Sequence, residues 1–177
     1  DRTEALNRQL TAILDAAVEV GIVAADLDGT IQIFNRGAER LFGWSADEMI
    51  GRQTPMVLVD PEHLGASQAQ AEREFGRPVS PFESTFIHAE PGKPDRREWW
   101  MRRKDGARML MDIAVSILVN EAGEPTGFLG VAIDITERTR DHWVRDTLAQ
   151  SSTHPEQLPA AGETWIRDRG ASGSPPG

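Results

Sequence analysis

The sequence predicts an α+β domain: a β-hairpin, several short helices and three further antiparallel strands, with one helix at each end. Two observations favour this fold class. Apolar residues near the start of the chain recur at helical spacing, whereas those after residue 96 alternate with a period of two. Asp-Gly pairs also separate neighbouring strand-like segments, and turns this short join only antiparallel strands.

Residues 1–20 are predicted to form an N-terminal flanking helix that ends at Gly21. The apolar residues of this helix follow heptad spacing, which is typical of a helix with one buried stripe. The stripe either packs on the domain or forms a dimer seam, and fewer than three heptads do not decide between them. Its members are Leu6, Leu10, Ile13, Ala17 and Val20.

The stretch "VAADLDGTIQIF" (residues 23–34) predicts a β-hairpin. Asp28-Gly29 would supply the positive φ angles of a type I′ turn. The same letters contain D-x-D-G-T, the first motif of haloacid-dehalogenase-type phosphatases, in which Asp26 would be the nucleophile and Asp28 the acid/base. That chemistry also requires a phosphate-binding lysine, a second acidic cluster that holds Mg²⁺, and a parallel sheet.

The rest of the chain does not supply these parts. It has no Asp-Asp pair and no G-D-x-x-x-D motif, and neither Lys93 nor Lys104 precedes an acidic cluster. The strands predicted after residue 96 are antiparallel. The sequence therefore favours the hairpin and leaves the phosphatase as a remote alternative.

Capping signals place the short helices of the middle segment. Asn35 is the predicted N-cap of one helix, and Ser45 with Glu48 forms the capping box of the next. A polar helix is expected over residues 60–75. The stretch "SPFESTFIHA" (residues 80–89) predicts a further helix, capped by its first serine, with a proline at the first helical position.

Three strands follow, read as "REWWMRR", "RMLMDIAVSILV" and "TGFLGVAIDI". Residues 137–150 are predicted to leave the sheet as an exit helix, with Thr136 as its cap. Residues 151–177 are rich in Pro, Gly and Ser, which is typical of a flexible linker.

Composition narrows the function classes. The absence of cysteine excludes thiolate metal sites and cysteine nucleophiles and is compatible with a cytoplasmic protein. A net charge of −9 argues against nucleic-acid binding. No apolar run is long enough to span a membrane, no signal peptide is predicted, and the histidine spacing does not suggest a metal site.

Two long segments resemble the PAS sensory domains of bacterial multidomain signalling proteins, of the PAS/PAC type that ends in Asp-Ile-Thr. "GIVAADLDGTIQIFNRGAERLFGWSADEMIGR" (residues 21–52) is similar to the N-terminal half of such a domain. "RRKDGARMLMDIAVSILVNEAGEPTGFLGVAIDITER" (residues 102–138) is similar to the C-terminal half. Together the resemblance covers about residues 10–140, with the PAS domain proper at 21–136.

The resemblance implies a five-stranded antiparallel sheet with the short helices on one face, and no catalysis by this chain. It implies a sensor or relay that couples a pocket or packed core, and a homodimer interface, to an output domain of the same polypeptide in a two-component or related system. A ligand-free dimerisation and protein-interaction module is the alternative. Signal transmission is expected at the junction with the exit helix, formed by Asp134, Ile135 and Thr136.

Strand alternation predicts the lining of such a pocket, because the all-apolar face of the long strand belongs inside. Phe side chains of the helix predicted at 80–89 would face the same space. The candidate pocket residues are Trp99, Met101, Met109, Met111, Ile113, Val115, Phe128, Gly130, Ala132, Phe82 and Phe86.

No cofactor is predicted for this pocket. Flavin-binding PAS domains of the light-sensing type use a cysteine and strand amides, whereas the matching positions here are Met101, Met111 and Ala132. Haem-binding PAS domains use a helix histidine, but His63 and His88 do not match its place. The arginines lie beside turns, which disfavours a dicarboxylate site. Haem, a hydrophobic small ligand and an empty packed core all remain open.

The opposite face of the sheet also carries apolar residues, among them Ala114 and Leu118. Because such a face is larger than a monomer usually exposes, either the first helix or a partner is expected to cover it. The candidate dimer-interface residues are Leu6, Leu10, Ile13, Ala17, Trp100 and Leu110.

Overall fold

The computed structural model of the chain describes residues 1–136, so the predicted exit helix (137–150) and linker (151–177) lie outside the described residues. The helices are α1 (Arg2–Ala16), α2 (Arg36–Phe42), α3 (Ala46–Met49) and α4 (Pro61–Phe75), with 3₁₀ turns at Pro55–Leu58 and Glu83–Thr85. The strands are β1 (Gly21–Asp26), β2 (Ile31–Phe34), β3 (Asp95–Arg102), β4 (Arg108–Val119) and β5 (Pro125–Asp134).

The five strands form one antiparallel sheet in the order β2-β1-β5-β4-β3. The predicted fold class is therefore confirmed. Residues that were predicted to share the inner face do so: Trp99 pairs with Met111, and Ile113 pairs with Ala132. The core lies between this face and the short helices.

The helix caps predicted at Asn35 and at Ser45 are confirmed. The Asn35 side chain accepts a hydrogen bond from the Ala38 N–H, and Ser45 with Glu48 forms the complete capping box. Helix α4 begins after Asp60, whose carboxylate accepts a hydrogen bond from the His63 N–H. These bonds satisfy N–H groups that the first turn of a helix otherwise leaves unpaired.

The hairpin prediction is correct, but its type I′ turn is wrong. Positive φ angles in the described residues occur only at glycine, so Asp28 does not adopt one, whereas Gly29 has φ of 87°. The Gly29 N–H donates to the Asp26 carbonyl, and the Asp26 N–H donates to the Thr30 carbonyl. These bonds define a three-residue loop with glycine at its left-handed position.

The Asp26 carboxylate is used inside this turn. One of its oxygens accepts the N–H groups of Asp28 at 3.0 Å and Thr30 at 2.9 Å, and the other accepts the Gln32 amide at 3.2 Å. A carboxylate that accepts three hydrogen bonds within a turn of an antiparallel sheet stabilises that turn. The phosphatase alternative therefore has no support here.

Helix α1 ends at Ala16, five residues before the predicted stop at Gly21. The Ala17 N–H bonds to the Leu14 carbonyl, which tightens the last turn, and the Asn35 side chain binds carbonyls of this segment. Within the described part of the chain, α1 buries none of its side chains. The stripe residues Leu6, Leu10 and Ile13 are therefore exposed, whereas Ala17 and Val20, which follow the helix, are partly buried.

The helix predicted over residues 80–89 is wrong, because only a 3₁₀ turn forms at Glu83–Thr85. Ser80 does accept the Glu83 N–H, but the Glu83 carboxylate pairs with Arg77 and does not close the capping box. Phe82 and Phe86 of this segment pack against Phe128 of β5.

Candidate functional site

A cavity of about 90 Å³ lies between the inner face of the sheet and the short helices. Its walls are almost entirely apolar. The lining residues are Val23, Ala25, Phe42, Pro55, Met56, Leu58, Val59, Phe82, Thr85, Trp99, Met101, Ile113, Val115, Phe128, Gly130 and Ala132. The inner faces of all strands except β2 contribute to it.

Most of the predicted pocket residues surround this cavity, but three do not. Met109 and Met111 are 6% and 0% exposed and belong to the packed core, outside the cavity lining. Phe86 also lies outside the lining, because its ring stacks on Phe128 with centroids 4.1 Å apart. These three placements correct the predicted lining.

Three phenylalanines form a cluster at one edge of the cavity. Phe82 meets Phe128 edge-on at 5.4 Å and Phe86 at 5.1 Å. Both Phe82 and Phe128 line the cavity. The cluster thus holds the 3₁₀ segment against β5 and forms part of the cavity wall.

Sequence reasoning missed the lining from β1, α2 and the Pro55–Val59 segment. The period of two in β1 would have identified Val23 and Ala25, which face the cavity beside Gly130 and Phe128. The Pro55–Val59 segment offers no such signal, because a 3₁₀ turn has no extended periodicity.

The Pro55–Val59 segment, which forms one wall of the cavity, is followed by the buried residue Asp60, and both are bonded to β3. Val59 bridges to Met101, and the Asp60 N–H donates to the Trp100 carbonyl at 3.0 Å. The Asp60 side chain is 1% exposed and pairs with Arg102 at 2.7 Å and with Arg108 at 3.4 Å.

The charge state of Asp60 follows from these contacts. Burial raises the pKa of Asp60, but the hydrogen bonds from Arg102 and the His63 N–H, with the charges of Arg108 and Arg102, outweigh burial and leave the pKa below its ordinary value. Asp60 therefore stays ionised, and its ion pairs with Arg102 and Arg108 attach the Pro55–Val59 wall to β3 and β4.

The cavity lining does not fit a flavin or a haem. Its one hydroxyl, that of Thr85, donates to the Phe82 carbonyl at 2.7 Å, and the lining contains no amide side chain and no histidine. His63 packs on the Trp99 ring at 5.0 Å, and His88 pairs with Glu74. A flavin ring would lack hydrogen-bond partners here, and a haem iron would lack an imidazole ligand.

The end of β5 is fastened to β4 through the predicted transmission residues. The Thr136 hydroxyl accepts the Leu110 N–H at 3.0 Å and lies 2.7 Å from an Asp134 carboxylate oxygen, which also accepts the Thr136 N–H. The Ile135 N–H donates to the Leu110 carbonyl. The prediction that Thr136 caps an exit helix concerns residues 137–150, which lie outside the described residues.

The predicted dimer residues lie in two places. Leu6, Leu10 and Ile13 are 50–59% exposed along one side of α1. Trp100 lies on the outer face of the sheet beneath the Arg108 guanidinium, 4.4 Å from its ring centroid. Leu110 is only 7% exposed in the single chain, so it offers little surface to a partner.

Residues 1–136 hold no group of three or more His, Asp or Glu side chains placed to bind a metal ion. None of the helices in this part of the chain is long and apolar enough to cross a membrane.

Known sensor proteins are similar to this chain. It is 29% identical over 125 residues to the C4-dicarboxylate transport sensor protein DctS of Rhodobacter capsulatus, covering 70% of this chain and 17% of that protein. It is 27% identical over 142 residues to the sensor protein FixL of Bradyrhizobium diazoefficiens, covering 80% and 26%. The chain thus spans roughly a sixth to a quarter of these relatives.

Two solved structures are also similar to this chain. The PAS domain of a Colwellia psychrerythraea protein superposes with a TM-score of 0.54 at 26% identity, covering 75% of this chain and 98% of that one. An RNA-binding Light-Oxygen-Voltage receptor gives 0.57 at 25% identity, covering 84% and 38%. A family model described as the PAS fold matches residues 8–135. The chain therefore belongs to the PAS family and is a sensory signal-transduction domain.

Proposed function

We propose that this PAS domain senses a small, neutral, apolar molecule held in the cavity between the sheet and the short helices. The apolar lining is the observation that carries the proposal. Because the Thr85 hydroxyl is already bonded within its own segment, the walls offer a guest dispersion contacts and little hydrogen bonding. Methionine side chains such as Met56 and Met101 adapt to guests of different shape.

Charged guests are disfavoured by the same walls. A dicarboxylate would need arginine or histidine side chains that point into the cavity, since burying an unpaired charge is costly. The nearby guanidiniums of Arg97, Arg102 and Arg108 are engaged elsewhere, over the Trp99 ring, at Asp60 and over the Trp100 ring. The ligand of this chain is therefore proposed to differ from the dicarboxylate that the name of DctS suggests.

The proposed output route runs along β5. Phe128, Gly130 and Ala132 line the cavity, and the same strand leads to Asp134 and Thr136, which are bonded to β4. A guest that displaces β5 would alter these bonds and the direction of the chain beyond them. We propose that this movement reaches an output module, such as a kinase, in the same polypeptide.

Native mass spectrometry of the purified chain tests the ligand. We expect a fraction of the protein to carry a neutral organic molecule that is released at higher collision energy. Val131→Leu adds volume to the same strand on the other face and is expected to leave that adduct unchanged. An adduct that is ionic, or that depends on the outer-face substitution, would contradict the proposal.

A dimer-relay function is the second candidate, and the exposed stripe of α1 favours it. Pairing of two copies would bury Leu6, Leu10 and Ile13, which the single chain leaves half exposed. We expect sedimentation to detect a dimer that dissociates when Leu10 and Ile13 are both replaced by Glu. Replacement of the exposed Thr11 by Glu is the control and is expected to leave the dimer intact. A monomer at every concentration would exclude this pairing.

A further inference from the structure

Asn35 lies where β2 ends, α2 begins and the segment after α1 passes. Its side chain is 3% exposed, and both ends of its amide are used. The oxygen accepts the Ile22 and Ala38 N–H groups, each at 2.8 Å. The nitrogen donates to the carbonyls of Leu14 at 2.9 Å and Val20 at 3.0 Å. One side chain thus joins the end of α1 to both β1 and α2.

The oxygen and the nitrogen of the Asn35 amide have different roles. Capping α2 requires only an acceptor oxygen, which Asp or Ser would supply as well. The donors on the nitrogen satisfy carbonyls at and after the end of α1, where a helix leaves carbonyls without partners. Asparagine combines both functions in a single buried side chain.

Gly37 gives a second, independent observation at the same place. A Cβ atom at this position would lie 2.0 Å from the Val20 carbonyl oxygen and 2.6 Å from that of Ala17. The backbone of residues 17–20 therefore packs directly against the backbone of α2. A larger residue at position 37 would separate the two.

Helix α2 also reaches the cavity. Phe42, its last residue, is 1% exposed and lines the cavity. Phe34, which immediately precedes Asn35, is buried in the core beside Phe42. The seven-residue helix α2 thus has the cavity at one end and the attachment of α1 at the other.

We propose that Asn35 is the positioning residue that fixes the direction of α1 relative to the sheet. It makes the start of α2 a second signalling junction, separate from the one at Thr136. Because α1 buries none of its own side chains in the described chain, its direction depends on this attachment. The inference does not require a ligand in the cavity.

Asn35→Asp separates the two functions of the amide. The aspartate keeps the acceptor for Ile22 and Ala38 but turns a carboxylate oxygen toward the Leu14 and Val20 carbonyls, which repels them. Since the chain has no cysteine, spin labels can be attached through Glu4→Cys on α1 and Glu121→Cys at the exposed β4–β5 turn. Dilution with unlabelled protein restricts pulsed electron resonance to distances within one chain.

We expect a single narrow distance in the parent protein and loss of that narrow distance in Asn35→Asp. Asp15→Ala is the matched control, because within residues 1–136 the Asp15 side chain makes a single, exposed hydrogen bond, from the Arg36 N–H at 3.3 Å. The distance between the two spin labels should stay narrow in this variant. If Asn35→Asp does not fold, Asn35→Ser keeps an acceptor oxygen, replaces the two amide N–H groups with a single hydroxyl on a shorter side chain, and gives the same readout. An unchanged narrow distance in a folded variant would overturn the proposal.

Discussion

Asp60→Ala is expected to lower the free energy of unfolding by about 3 kcal/mol. The substitution removes the N-cap of α4 and the hydrogen bond from Arg102, and it leaves a space at a site that is 1% exposed. Hydrogen bonds to a buried charged group contribute more than those between neutral groups. Urea unfolding followed by tryptophan fluorescence provides the measurement.

Asp112→Ala is the control for this variant. Asp112 also pairs with an arginine, but its partner Arg96 is 70% exposed on the sheet surface. Solvent screens such pairs, so a much smaller loss is expected. Equal losses for the two variants would show that the buried position of Asp60 is not what gives the pair its strength.

The effect of Asp60→Ala is also expected to depend on pH. Because the pKa of Asp60 in the folded protein lies below its ordinary value of 3.8, its stabilisation is fully present above that value and is lost as the pH falls through the folded pKa. The difference between the parent and the variant should therefore be constant near neutral pH and shrink below about pH 4. A difference that grows on acidification would contradict the ion-pair account.

The sequence predicted those features that local rules determine. Strand alternation placed Trp99, Met101 and Ile113 on the inner face, and the caps at Asn35 and Ser45 follow from side chains bonding to their own first turn. Each depends on neighbours within a few residues or on the pleat of a single strand. Such features hold in most tertiary contexts.

Predictions failed where distant contacts determine the local structure. The segment 80–89 has a helical signature, but it forms only a 3₁₀ turn, and its Phe86 stacks on Phe128 of the distant strand β5. Helix α1 ends at Ala16, and the Asn35 side chain, distant in sequence, donates to the carbonyl of Leu14 in the helix and to that of Val20 beyond it. The cavity wall at Pro55–Val59 depends on Asp60 meeting Arg102, a contact between residues 42 positions apart.

Gly130→Leu is expected to abolish guest binding in the cavity and to stabilise the empty domain by about 1 kcal/mol. Gly130 lines the cavity without a positive φ, and a Cβ there would meet only the Val23 carbonyl oxygen, at an ordinary 3.7 Å. The leucine side chain can therefore extend into the space of about 90 Å³ without moving the backbone. Thermal unfolding with and without the guest measures both effects.

Gly127, on the same strand, provides the control for Gly130→Leu. A Cβ at Gly127 would lie 2.4 Å from the Ala25 carbonyl oxygen, so Gly127→Ala should destabilise the domain. If β5 borders an open cavity at Gly130, Gly130→Leu should stabilise the domain, whereas Gly127→Ala should destabilise it. A loss of stability in both variants would mean that the core is closed there.

Methionine methyl NMR under xenon pressure tests the central claim, that the domain keeps a dry apolar cavity for a neutral guest. The chain has five methionines, of which Met56 and Met101 line the cavity. An apolar cavity binds xenon. We expect the methyl signals of these two to shift and saturate with xenon pressure, those of Met49, Met109 and Met111 to move less, and the response to vanish in Gly130→Leu. The absence of a saturable shift at Met56 and Met101 would contradict the claim.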